Sequence, residues 1–153
     1  MRTKLMLAVL LATLPFSAHV SAQAQSIRQV FQEFDLIGVW ASACDRPANF
    51  DEGNAQMIFA LARPDTVMLT YDNGPKYNAS AYNIVNATRA GPDRLTYTAV
   101  RLRDQKQATV TVQKVRNEIT VVSSVLPDGT VLVRDGRRLA SGIANPRQVR
   151  CQK

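Results

Sequence analysis

The sequence predicts an all-β fold: a small antiparallel up-and-down β-barrel of eight or nine strands, opened by one short helix. Three observations predict it. Turn signals recur at Arg63-Pro64-Asp65, Asp72-Asn73-Gly74-Pro75, Gly91-Pro92-Asp93, Asp104-Gln105, Arg116-Asn117, Pro127-Asp128-Gly129 and Asp135-Gly136, with short segments between them. Ala108-Thr109-Val110-Thr111-Val112-Gln113 alternates apolar and polar residues strictly, as a strand with one buried and one wet face requires. Finally, no helical pattern of ten or more residues interrupts this region. Consecutive hairpins favour a meander, and closing it into a barrel removes the exposed edges. A two-sheet sandwich fits the same pattern.

In chain order, the first element is a targeting signal. Arg2 and Lys4 precede an apolar run from Leu5 to Leu14, Pro15 breaks it, and small residues lead to Ala22-Gln23-Ala24, the three-part plan of a secretory signal peptide. Residues 1 to 24 are therefore expected to be removed, with cleavage after Ala24 or Ala22, leaving residues 25 to 153 as one domain that is periplasmic or secreted. The apolar run is about half the roughly 20 residues that a membrane-spanning helix needs, so the protein is not expected to span a membrane.

Ser26-Ile27-Arg28-Gln29 is a capping-box pattern, and Ile27, Val30, Phe31 and Phe34 then recur on one face of a helix, predicted over residues 27 to 34. Strands are expected over Leu36 to Ser42, Gln56 to Ala62, Val67 to Tyr71, Tyr77 to Ala87, Leu95 to Leu102, Ala108 to Val115, Ile119 to Val125, Val131 to Arg134 and Arg137 to Ser141. In Leu95 to Leu102 the apolar residues change parity midway, which suggests a bulge near Ala99 or a strand buried on both faces.

Composition limits the chemistry. The 153 residues are 46% hydrophobic and 20% charged, the profile of one globular domain. Removing residues 1 to 24 leaves 17 basic and 12 acidic residues, net +5, and takes away His19, the only histidine. Without histidine there is no Ser-His-Asp or Cys-His dyad and no imidazole-based zinc site. The expectation is a protein that is not an enzyme and carries no cofactor, no metal and no catalytic residue. Cys44 and Cys151, an even pair in an exported chain, are expected to form one disulfide joining the first strand to the tail.

The weaker signals read as structure first. Asp51 and Glu52 are adjacent carboxylates in a long loop, Asp72-Asn73-Gly74 is a turn lacking the later ligands of a calcium loop, and the four tyrosines read as strand and core residues. Nucleic acid is not expected as a partner. Residues 89 to 153 carry 13 basic and 5 acidic groups, and alternating turns would gather Arg63, Arg89, Arg94, Arg116, Arg134, Arg137 and Arg138 toward the helix end of a barrel. Arg134 and Arg137 flank Asp135-Gly136 and would face each other across a two-residue hairpin. With Arg138 they form a basic tip, either solvated or in contact with an anionic envelope surface.

The segment Phe34-Asp35-Leu36-Ile37-Gly38-Val39-Trp40, a helix running into Gly-x-Trp at the first strand, resembles the opening of lipocalins and other calycins. The resemblance implies a barrel plugged at one end by the helix, with Gly38 and Trp40 forming the motif at its base and an apolar ligand in its interior. The chain also resembles small exported bacterial proteins of uncharacterised function that share the Gly-x-Trp start, a Cys four residues after the Trp, as Cys44 is here, and a C-terminal Cys like Cys151. The second and third lipocalin motifs and a long C-terminal helix are missing. These likenesses imply a monomeric, non-enzymatic binding module of the bacterial envelope whose partner is an unknown small apolar or amphipathic ligand or an envelope protein. The alternative is a periplasmic enzyme inhibitor, similar to the barrels that inhibit metalloproteases through a short N-terminal trunk, here residues 25 to 34, or to those that inhibit lysozyme.

Overall fold

The computed structural model describes residues 25 to 151. The expected signal peptide and its cleavage points lie outside the described residues. Ser26 caps the helix α1 (Ile27–Glu33) by accepting from the Gln29 N–H, while the Gln29 side chain bonds forward to Glu33, so only half of the capping box forms. The helix ends in a Schellman turn: Leu36 N–H donates to the Phe31 carbonyl and Asp35 N–H to that of Gln32, with Asp35 at φ 55°.

Ten strands follow: β1 (Gly38–Ala41), β2 (Gln56–Arg63), β3 (Thr66–Asp72), β4 (Ser80–Arg89), β5 (Arg94–Arg101), β6 (Gln107–Val115), β7 (Glu118–Val125), β8 (Val131–Arg134), β9 (Arg137–Arg138) and β10 (Gln148–Cys151). Strands β1 to β7 pair antiparallel in sequence order, and β10 pairs with both β1 and β7, so eight strands close a barrel while β8 and β9 extend from it. The all-β barrel with a short N-terminal helix is thus the observed fold. Among the described residues no helix is long and apolar enough to cross a membrane.

Three local expectations need correction. The closing strand β10 was not foreseen, because its four residues Gln-Val-Arg-Cys carry little pattern and its pairing depends on β1, over a hundred residues away in sequence. The last predicted strand, Arg137 to Ser141, shrinks to Arg137–Arg138, and the next residues coil back, with Gly142 N–H bonded to the Arg138 carbonyl. The bulge lies opposite Ala99 and not in its own strand: β5 pairs with β6 without a break, whereas Ile84 faces Ala99 and Asn86 faces Thr98, leaving Val85 as the extra residue on β4. Val85 is accordingly turned outward and 53% exposed.

Helix α1 packs across the end of the barrel where the β2–β3, β4–β5 and β6–β7 turns lie. Arg28 bonds the Pro64 carbonyl, Arg89 sits over the Phe34 ring, and Lys114 bonds the Phe34 carbonyl. Below the helix the interior is filled. Phe31, Phe59 and Tyr97 pack with their ring centroids within 5.9 Å of one another, and Leu36, Trp40, Leu69, Leu95, Val112 and Ile119 are buried around them.

Candidate functional site: a hollow mouth above a filled base

Gly38 and Trp40 form the base. Gly38 sits at φ 141°, a conformation that only glycine adopts readily, and it lets β1 start directly from the helix turn. Trp40 is fully buried and its indole N–H donates to the Leu36 carbonyl at 2.8 Å. The Arg150 guanidinium lies 4.7 Å above the Trp40 ring, and Lys114 lies 6.0 Å from it. Both cations reach Asp35, at 2.7 Å each. Burial pushes the Asp35 carboxyl up, but the bonds and charges of Lys114 and Arg150 outweigh it and hold the pKa below its ordinary value. Arg150 also donates to the Asp35 carbonyl.

At the opposite end the barrel is open. A cavity of about 700 Å³ lies inside the wall, floored and lined by Met57, Tyr71, Val110, Val121 and Val133 and rimmed by Phe50, Leu132 and Ile143. Its volume falls within the roughly 300–1,000 Å³ of small-molecule sites. The inward positions of β6 and β7 shrink toward the mouth, while β3 and β4 bring the Tyr71–Tyr82 ring pair to the facing wall. On β6 the inward positions run from Val112 to Val110 to Ala108, and on β7 from Ile119 to Val121 to Ser124. Three exposed apolar side chains, Phe50 (49%), Leu132 (43%) and Ile143 (63%), stand around the opening.

Two long loops shape one side of this mouth. The β1–β2 loop is pinned by Asn54, which is 1% exposed, accepts from Ala43 N–H and donates to the Arg46 and Pro47 carbonyls. It rests on the β3–β4 loop at Gly74, where a Cβ would come within 2.3 Å of the Ala48 carbonyl oxygen. Asp51 bridges the same loops by accepting from Tyr77 at 2.5 Å and Lys76 at 3.0 Å. The hydrogen bonds from Tyr77 and Lys76 lower its pKa. Asp51 is therefore a tether between loops and Glu52 its solvated neighbour.

The β8–β9 hairpin and the residues after it form the other side. Strand β7 offers one edge to two partners: β10 pairs at Glu118 and Ile119, and β8 at Ser124 and Val125. Between them Gly136 N–H bonds the Val122 carbonyl, and the Asn145 side chain bonds the Val121 carbonyl at 2.9 Å, completing the wall. The hairpin turn has Asp135 at φ 50° and Gly136 at φ 73°, and Arg134 pairs with Arg137 across it.

The three arginines of this hairpin do not share one surface. Arg134 borders an outer groove with Arg94 and Asp135, while Arg138, which pairs with the inward Val133, lines the mouth cavity. Arg138 was expected at the helix end, and the hairpin places it at the mouth because β8 leaves β7 near the open end. The alternation along β8 and β9 puts Val133 and Arg138 on one face.

Cys44 and Cys151 form a disulfide across 107 positions, tying the start of the β1–β2 loop to the closing strand. Among the described residues no group of three or more His, Cys, Asp or Glu side chains stands where it would hold a metal ion. The chain matches no protein-family model, no curated protein and no solved structure.

Proposed function

We propose that the protein is an exported, non-enzymatic binding module of the bacterial envelope that holds a small apolar or amphipathic ligand in the mouth of its barrel. The observation that carries this reading is the apolar cavity of about 700 Å³, open to solvent, above a base of buried aromatic and aliphatic side chains. Export rests on the pattern of residues 1 to 24, and the disulfide suits an oxidising compartment. The packing of α1 also favours a carrier over an inhibitor with a protruding N-terminal trunk. Val30, Phe31 and Phe34 are buried against the barrel, and Gln25 is bonded to Glu33.

Native mass spectrometry of protein taken from the exported fraction tests the reading. The expected spectrum shows a chain processed after Ala24 or Ala22, oxidised at Cys44 and Cys151, with a small-molecule adduct that is absent from the Val121→Phe variant, whose cavity is filled. An adduct that persists in that variant, or a bare chain that also fails to take up added decan-1-ol, contradicts it.

A further inference from the structure

We propose that the ligand of the mouth cavity is an amphipathic acid, its anionic head held by the Arg138 guanidinium and its apolar body lying between Met57, Tyr71, Val110, Val121 and Val133. This inference rests on the binding-module reading and specifies its ligand. The cavity lining contains Arg138 and no Asp, Glu or Lys, so the site carries one formal positive charge in otherwise apolar and neutral surroundings. Among the described residues no carboxylate lies within ion-pair distance of Arg138.

The guanidinium is also positioned. Its Nε donates to Asn145 Oδ1 at 3.0 Å, and Asn145 is itself anchored, through its side-chain amide to Val121 and through its backbone N–H to Gly136 at 2.7 Å. That leaves the two Nη groups as a fork, the donor geometry that suits a carboxylate, phosphate or sulfate group. The charge of Arg138 is felt inside the cavity. Burial drives the Tyr71 phenol pKa up, the Tyr82 phenol adds to this, and Arg138 opposes it. A cationic amphiphile would be repelled by that charge, and a neutral one would gain no charge-assisted bond from the fork. An acid can pair its head at the rim, where Arg138 remains exposed, while its body displaces water from the apolar wall.

Calorimetric titration at neutral pH with decanoate, decan-1-ol and decyltrimethylammonium tests this, since the three share one apolar body and differ in head charge. The wild-type protein is expected to bind decanoate about tenfold more tightly than decan-1-ol, the scale of a charge-assisted hydrogen bond, and to bind the cation most weakly. Arg138→Gln should bring decanoate down to the level of decan-1-ol without weakening decan-1-ol. Arg138→Lys, which keeps the charge, should retain a preference for decanoate that falls as salt is raised. Equal affinity for decanoate and decan-1-ol in the wild type, or a decanoate preference that survives in Arg138→Gln, overturns the acid assignment and leaves the binding-module reading standing. Failure to bind any of the three overturns both.

Discussion

The base and the mouth of this barrel are built from the same strands, yet one end is packed solid and the other is hollow. At the base, the helix brings Phe31 down onto Phe59 and Tyr97, and Asp35, Lys114 and Arg150 lock the turn below Trp40. At the mouth, Val110, Val121, Val133 and Ser124 leave a hollow beside Met57 and Tyr71, and the covering loops are held by polar tethers such as Asn54 and Asp51. The difference teaches that stability and ligand capacity are assigned to separate halves of one sheet. Substitutions at the base should unfold the protein, and those at the mouth should change what it holds.

The largest effect is expected from Trp40→Ala, which removes a fully buried indole and the surface on which Arg150 stacks. A loss of about 3–5 kcal/mol in urea unfolding is expected. A loss under about 1 kcal/mol would mean that the base is not the stabilising half. Replacing both Cys44 and Cys151 by Ser should cost about 2–5 kcal/mol, because the disulfide closes a long loop in the unfolded chain. The check is thermal unfolding with and without reductant, and an unchanged midpoint would remove the disulfide from the account.

Acid should separate two carboxylates, one at each end. The hydrogen bonds from Arg101 hold the pKa of Asp104, in the β5–β6 turn, at about 2 against an ordinary 3.8, and Asp35 at the base is also lowered. A carboxyl depressed by folding contributes stability that is present above its unfolded value and lost as pH falls through the folded one. Stability should therefore decline as pH drops from 3.8 toward 2, and decline less in Asp104→Asn. An identical decline in that variant would show that the Arg101 pair contributes nothing to folding.

The smallest effect is expected from Tyr97→Phe. The Tyr97 hydroxyl is buried and meets no partner at full hydrogen-bond geometry among the described residues, the Tyr71 phenol being its nearest polar neighbour, and burial together with that phenol raises its pKa well above the ordinary value. Removing it should leave stability unchanged or raise it by up to about 1 kcal/mol. A clear loss would show that this hydroxyl is bonded, and would place a polar group at the boundary between the two halves.

Much of the barrel was legible in the sequence because its strands are long and bounded by turns. Strand β8 matches its expected limits and β2, β3, β6 and β7 do so within a residue, since alternation and turn residues act locally. Strand β10 was not legible, because four residues closing a sheet are held by partners at the other end of the chain. Strand β4 was expected to start at Tyr77 but starts at Ser80, because Tyr77 is drawn into the mouth loops by Asp51 and by its edge contact with Phe50. The cavity was half legible. Small inward residues allow a hollow, but only the helix, by filling one end, leaves the space at the other. The basic hairpin was legible as a turn carrying exposed charge, but not which way each arginine faces: the pleat sets Arg138 beside the mouth cavity and Arg134 beside an outer groove.

The division between a stabilising base and a binding mouth is tested most directly by the Val121→Phe variant, unfolded in urea and titrated with decan-1-ol beside the wild type. Overpacking a full core costs about 1–3 kcal/mol, but here the ring enters empty space. The account predicts stability within about 1 kcal/mol of wild type together with loss of decan-1-ol binding. A variant that still binds decan-1-ol as the wild type does, or one that unfolds because Val121 was already tightly packed, would contradict it.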